Sequence, residues 1–98
     1  MNPRKVMVNM LHQLLKEMEI VTSGGAGYYT CIPFAHRYNK LLEQTKKLFA
    51  DEAGIVDTFD TVVEADPKDP AEKSKFLLRI RVDTTQLITF LESTGDGA

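Results

Sequence analysis

Apolar side chains recur at intervals of four and three along most of the chain, and each run with that spacing predicts a helix. From Phe34 to Asp66 the positions Leu41, Leu48, Ile55 and Val62, with Tyr38 and Phe59 between them, trace one helical face. Leu42, Phe49, Val56 and Val63 widen that face by a residue at each turn, giving the broad stripe of a helix packed into a globular core. At about 1.5 Å per residue such a helix runs to roughly 50 Å, so shorter elements must lie along it. Gly54 falls inside it, costs about 1 kcal/mol relative to alanine, and marks the place for a kink or break.

Before it, Asn2 and Pro3 suit the start of a first helix, as a capping side chain and a first-turn proline. Met7, Leu11, Leu14, Met18 and Val21 then follow at four and three, flanked by Met10 and Leu15. The run Ser23-Gly24-Gly25-Ala26-Gly27 stops this helix, glycine offering a left-handed C-cap. Tyr28 to Ile32 is β-prone but only five residues long before Pro33, which holds Ile32 extended and itself suits a first helical turn.

After the central run, Asp66-Pro67-Lys68-Asp69-Pro70 ends one helix and begins another. Asp69 is placed to cap, Pro70 to open the helix, and Glu72 to complete a capping box. So short a connection makes the two neighbours antiparallel. The last element, from Pro70 to about Ser93, carries two overlapping periods. Leu77, Ile80, Thr84, Leu87 and Leu91 keep helical spacing, while Phe76, Leu78, Ile80 and Val82 alternate with Leu77, Arg79, Arg81 and Asp83 as a half-buried strand does. A lone strand leaves its backbone groups unpaired, and residues 55–63, the obvious partner, place their apolar side chains on one helical face. The pattern therefore predicts a single all-α domain over residues 1–98, a three-helix antiparallel bundle with a long central helix. The alternative is an α+β fold with a β-hairpin at about 55–65/75–83.

Composition narrows the classes without naming a function. The 98 residues, 43% of them hydrophobic, are enough for one core, and a net charge of -2 argues against bulk attraction to a polyanion. The single cysteine, Cys31, cannot form an internal disulfide, which suits a reducing, cytoplasmic setting. Polar residues Asn9, His12, Gln13 and Lys16 break the apolar run that follows Arg4 and Lys5, so it reads as neither a signal segment nor a membrane span.

Candidate chemistry is sparse. His12 and His36 belong to no cluster with metal-ligand spacing, and no metal is expected. Cys31 reads better as a small buried hydrophobe than as a nucleophile. Gly24, Gly25 and Gly27 lack the lysine and hydroxyl residue of a phosphate loop, so no cofactor is expected either. With no paired carboxylates or base and nucleophile assignable to one pocket, no catalytic activity is predicted.

Charge adds a sharper signal. Arg37, Lys40, Lys46 and Lys47 crowd the first half of the central run, and Asp51, Glu52, Asp57, Asp60, Glu64 and Asp66 the second, opposite to what a helix dipole favours. Compensation could come from Lys73, Lys75, Arg79 and Arg81 on the next element, or from a second copy lying head to tail on a two-fold axis. The long stripe also exceeds what two shorter helices can cover, and Leu78 with Val82 forms a second apolar edge. The expectation is a self-associating interaction or scaffold module, a homodimer with Leu48, Ile55, Phe59 and Leu78 near the contact. Three of four methionines, on or beside the first stripe, could also serve contact with another protein. In the α+β alternative, a winged-helix-like nucleic-acid binder would use Tyr28, Tyr29, Arg37, Lys40 and Lys47, although the net acidity counts against it.

Overall fold

The four-and-three stripe of the first segment folds as read. In a computed structural model, which describes residues 3–24, 30–50 and 57–94, helix α1 (Pro3–Ser23) buries Met7, Leu11, Leu14 and Met18 along one side. Helix α2 (Ile32–Leu48) follows, with Pro33 in its first turn and Cys31 at its N-cap, and helix α3 (Pro70–Thr94) closes the chain. Each helix packs against both others, α1 most extensively against α3, giving the all-α three-helix bundle. The two competing periods of the last segment resolve to the helical one: Leu77, Ile80, Thr84, Leu87 and Leu91 are all completely buried on the inner face of α3. Residues 75–83 are thus helix, and the described residues contain no strand, which removes the hairpin alternative; residues 55 and 56 lie outside the described residues.

The long central helix does not form as one rod. At the end of α2 the Phe49 N–H still donates to the Thr45 carbonyl at 3.0 Å, but Phe49 has already left helical geometry at φ -112° and ψ 37°. Residues 57–69 are irregular and extended; Gly54 lies outside the described residues. The charge asymmetry has its explanation here. Lys46 and Lys47 occupy the last turn of α2, where free carbonyls favour cations, and Asp57, Asp60, Glu64 and Asp66 lie in a connection with no helix dipole to oppose; Asp51 and Glu52 lie outside the described residues. Asp57, Thr58, Asp60, Thr61, Val62 and Val63 are also poor helix formers taken together, and Pro67 bars helix close behind them.

Helix ends agree with their local chemistry in part. Asp69 Oδ1 accepts the Ala71 N–H at 3.3 Å, the expected cap, with Pro70 in the first turn. Glu72 does not close the capping box; it faces Lys75 at 3.8 Å. Gly24 does not adopt a left-handed backbone, and its N–H continues the helical ladder to the Ile20 carbonyl at 3.2 Å. In the core, the two completely buried threonines return their hydroxyls to their own helices: Thr45 Oγ1 donates to the Leu41 carbonyl at 2.8 Å and Thr84 Oγ1 to the Ile80 carbonyl at 2.7 Å. Neither brings an unsatisfied polar group inside.

Candidate interaction surfaces

Residues 59–66 form a strap laid across α2, held on alternate side chains as a strand would be. Asn39, buried in α2, reads the strap backbone from both sides: its Nδ2 donates to the Val62 carbonyl at 2.8 Å, and the Val62 N–H donates to its Oδ1 at 2.8 Å. One carboxamide thereby stands in for a neighbouring strand. The Val62 side chain is buried, Glu64 accepts from Asn39 Nδ2 at 3.1 Å and lies 3.1 Å from His36 Nδ1, and Asp66 reaches the start of α2. Partners Asn39, His36 and Cys31 descend in number as the strap ascends, so the strap runs antiparallel to α2. The lengths match: four extended residues and eight helical ones each span roughly 12–13 Å.

At the foot of the strap a polar knot joins all three elements. Asp66 Oδ1 accepts the Cys31 N–H at 3.1 Å and lies 2.7 Å from Lys73 Nζ, whose side chain is 7% exposed. The lysine and the adjacent α2 N-terminus together hold the Asp66 carboxyl below its ordinary range, the Lys73 hydrogen bond contributing most. Of the proposed compensation from α3 toward the acidic stretch, this pair is the direct case; Lys75, Arg79 and Arg81 instead face Glu72, Asp83 and Glu19. Cys31 is completely buried beside the knot and its Sγ–H donates to the Lys73 carbonyl at 3.8 Å. Burial pushes its thiol pKa up, against a smaller opposing effect of Lys73, so it sits as a thiol in packed surroundings.

On the opposite side of α3, the apolar edge at Leu78 and Val82 meets α1. Leu15 and Glu19 from α1 and Leu78, Arg81, Val82 and Thr85 from α3 line an open groove of about 320 Å³. Leu78 is 55% exposed and Val82 46%, large values for leucine and valine on well-packed helices. Arg81 and Glu19 face each other across the groove at 3.7 Å. A face carrying two apolar side chains one turn apart, with one acid and one base beside them, is self-complementary under a two-fold axis.

The residues expected at a dimer contact do not form one patch. Leu78 lies in this groove; Leu48 is exposed at the far end of α2; Ile55 lies outside the described residues. Phe59 is half-buried in the strap, its ring 5.7 Å from that of Phe90. Among the residues expected to contact nucleic acid, Tyr28 and Tyr29 lie outside the described residues, whereas Arg37, Lys40 and Lys47 share one side of α2. Both terminal nitrogens of Arg37 are bound to Glu17 of α1, which neutralises one of these three cations. That hydrogen bonding also holds the Glu17 carboxyl below its ordinary range. His12 is exposed on α1, remote in sequence from His36, and no group of three metal-ligating side chains exists among the described residues. Sequence reasoning missed Asn39 altogether; a lone asparagine on the inner face of an amphipathic helix is the signal that could have found it. No helix among the described residues is long and apolar enough to cross a membrane. The chain matches no family model, and no curated protein or solved structure is detectably similar to it.

Proposed function

We propose that this chain is a small helical protein-protein interaction module that pairs with a second copy of itself through the α1–α3 groove. The observation that carries the reading is the exposure of Leu78 and Val82 beside an acid and a base on one face. An antiparallel crossing of two α3 helices centred between these residues sets Leu78 of one copy against Val82 of the other. It also brings each Glu19 toward the other copy's Arg81, replacing the loose internal pair of each copy by a shielded one between copies. The contact is centred on α3, because the long central helix first expected to carry it ends at Leu48. A reducing, cytoplasmic setting suits the lone, buried thiol. The reading assigns the chain no catalysis.

Sedimentation equilibrium tests it. A contact built on two exposed apolar side chains and one ion pair per copy falls at the small end of specific interfaces, so a dissociation constant on the order of tens of micromolar is expected. Leu78→Glu, at a position already half exposed, should change folding stability by less than about 0.5 kcal/mol and make the protein monomeric. A wild-type protein that stays monomeric at several hundred micromolar overturns the reading, as does a Leu78→Glu protein that dimerises like wild type.

A further inference from the structure

A second cavity, of about 140 Å³, opens between the strap and α3, lined by Tyr38, Thr58, Asp60, Arg79, Asp83 and Gln86 together with the ring of Phe59. Its floor is Tyr38, only 1% exposed. Tyr38 lines the cavity, forms no hydrogen bond with another described residue and lies within the field of both the Asp83 and Asp60 carboxylates. Burial first, and those two carboxylates after it, push the phenol well above its ordinary pKa, so it presents a neutral oxygen to the cavity. Asp60 is exposed at the mouth of the cavity. Arg79, the cation among the lining residues, lies with its Nε 3.9 Å from Asp83 Oδ2, beyond hydrogen-bond length, and its side chain is 70% exposed to solvent.

We propose that this cavity binds an alkylammonium group, carried by a small amine or by a lysine side chain of a partner, with Asp60, Asp83 and Tyr38 accepting its three N–H donors. An ammonium has three donors and no acceptor, which matches two carboxylates and one phenol oxygen. A guanidinium needs a planar fork facing one carboxylate, and a quaternary ammonium has no N–H to give. Charge argues for a single positive charge. Two carboxylates and Arg79 leave the cavity at -1, which one ammonium neutralises and a divalent ion overshoots. The volume accommodates a head group and the first carbons of its chain, at roughly 30 Å³ for each water displaced. An ammonium there gives the Tyr38 hydroxyl a donor and Asp60 a counter-charge.

The test is a ¹H–¹⁵N correlation titration of the full chain with 1,4-diaminobutane and, separately, with Nα-acetyl-lysine amide, using sodium chloride and magnesium chloride as controls. The expected result is saturable shifts at residues 58–60, 83 and 86 at low millimolar amine or below. Asp60→Asn and Asp83→Asn should each weaken binding about tenfold, and Tyr38→Phe severalfold with a dispersed spectrum retained. Because Asp60 is exposed, its variant keeps the test open even if a change at Tyr38 unfolds the protein. Tighter binding of the lysine amide assigns the site to a partner's side chain, and tighter binding of the diamine assigns it to a free amine. Shifts that never saturate, shifts that sodium chloride reproduces, saturation by magnesium at lower concentration, or unchanged affinity in both aspartate variants would overturn the proposal.

Discussion

At the scale of single residues, Asn39 links the strap to the bundle. Its carboxamide satisfies both backbone groups of Val62 and one carboxylate oxygen of Glu64, in a place where water has little access. Truncating it leaves a buried N–H and a buried carbonyl without partners, each worth roughly 1–3 kcal/mol. Asn39→Ala should therefore cost about 2–4 kcal/mol in urea unfolding, and the Val62 amide should exchange with solvent much faster than in wild type. An unchanged midpoint with Val62 still protected would mean that the strap is held by its side chains alone. Leu was never an option at this position for the same reason: an apolar residue fits α2 but cannot read a backbone.

At the scale of elements, aromatic side chains tie the end of α2 and the start of the strap to the end of α3. Phe90 meets Phe49 edge to face, with ring centroids 5.2 Å apart at 71°, and Phe59 at 5.7 Å and 59°. Arg4 of α1 lies over the Phe49 ring at 5.7 Å, extending the cluster to the first helix. Since one ring serves three elements, Phe90→Ala should cost about 3–5 kcal/mol by chemical denaturation, whereas Phe90→Leu, which keeps most of the volume, should cost clearly less. Equal losses in the two variants would show that ring geometry, not volume, holds the cluster.

At the scale of the whole molecule, titration of the carboxylates sets an acid limit on stability. Glu17 (by Arg37 first), Glu64 (by Asn39, then His36) and Asp66 (by Lys73) all have pKa values lowered by folding. Groups of this kind contribute stability above their unfolded pKa and lose it as pH falls through the folded value. Asp83 has the opposite sign: desolvation raises its pKa, so its favourable share is complete below its unfolded value and lost as pH rises through the raised one. The urea midpoint should therefore fall as pH drops from about 5 toward 3. Asp83→Asn should raise the midpoint at pH 7, with the gain vanishing at the acid end. A midpoint indifferent to acid, or a destabilised Asp83→Asn protein at neutral pH, would refute this assignment of charges.

How much of this was legible beforehand follows from which interactions are local. The inner faces of α1 and α3 could be read residue by residue, because a 3.6-residue period and a cap at Asp69 are properties of neighbouring positions. The same logic misled over residues 57–66, where apolar residues happened to keep helical spacing. Val62 is buried as that spacing demanded, yet it arrives there on an extended strap. The reversed charge polarity, Gly54 and the poor helix formers from Asp57 to Val63 are the local signs against one continuous helix. What decided the matter was a partner 23 residues away, the Asn39 side chain, which offers the Val62 backbone the hydrogen bonds a helix would otherwise supply. The candidate cavity is of the same origin, since Tyr38, Asp60 and Asp83 belong to three different segments and no periodicity connects them. The amino-acid order by itself determined three amphipathic helices and their inward faces, through short-range geometry and the hydrophobic effect. Only tertiary packing decided where the middle helix ends, what the acidic stretch is bound to, and which charged side chains share a pocket, because those outcomes rest on hydrogen bonds and fields between residues distant in the chain.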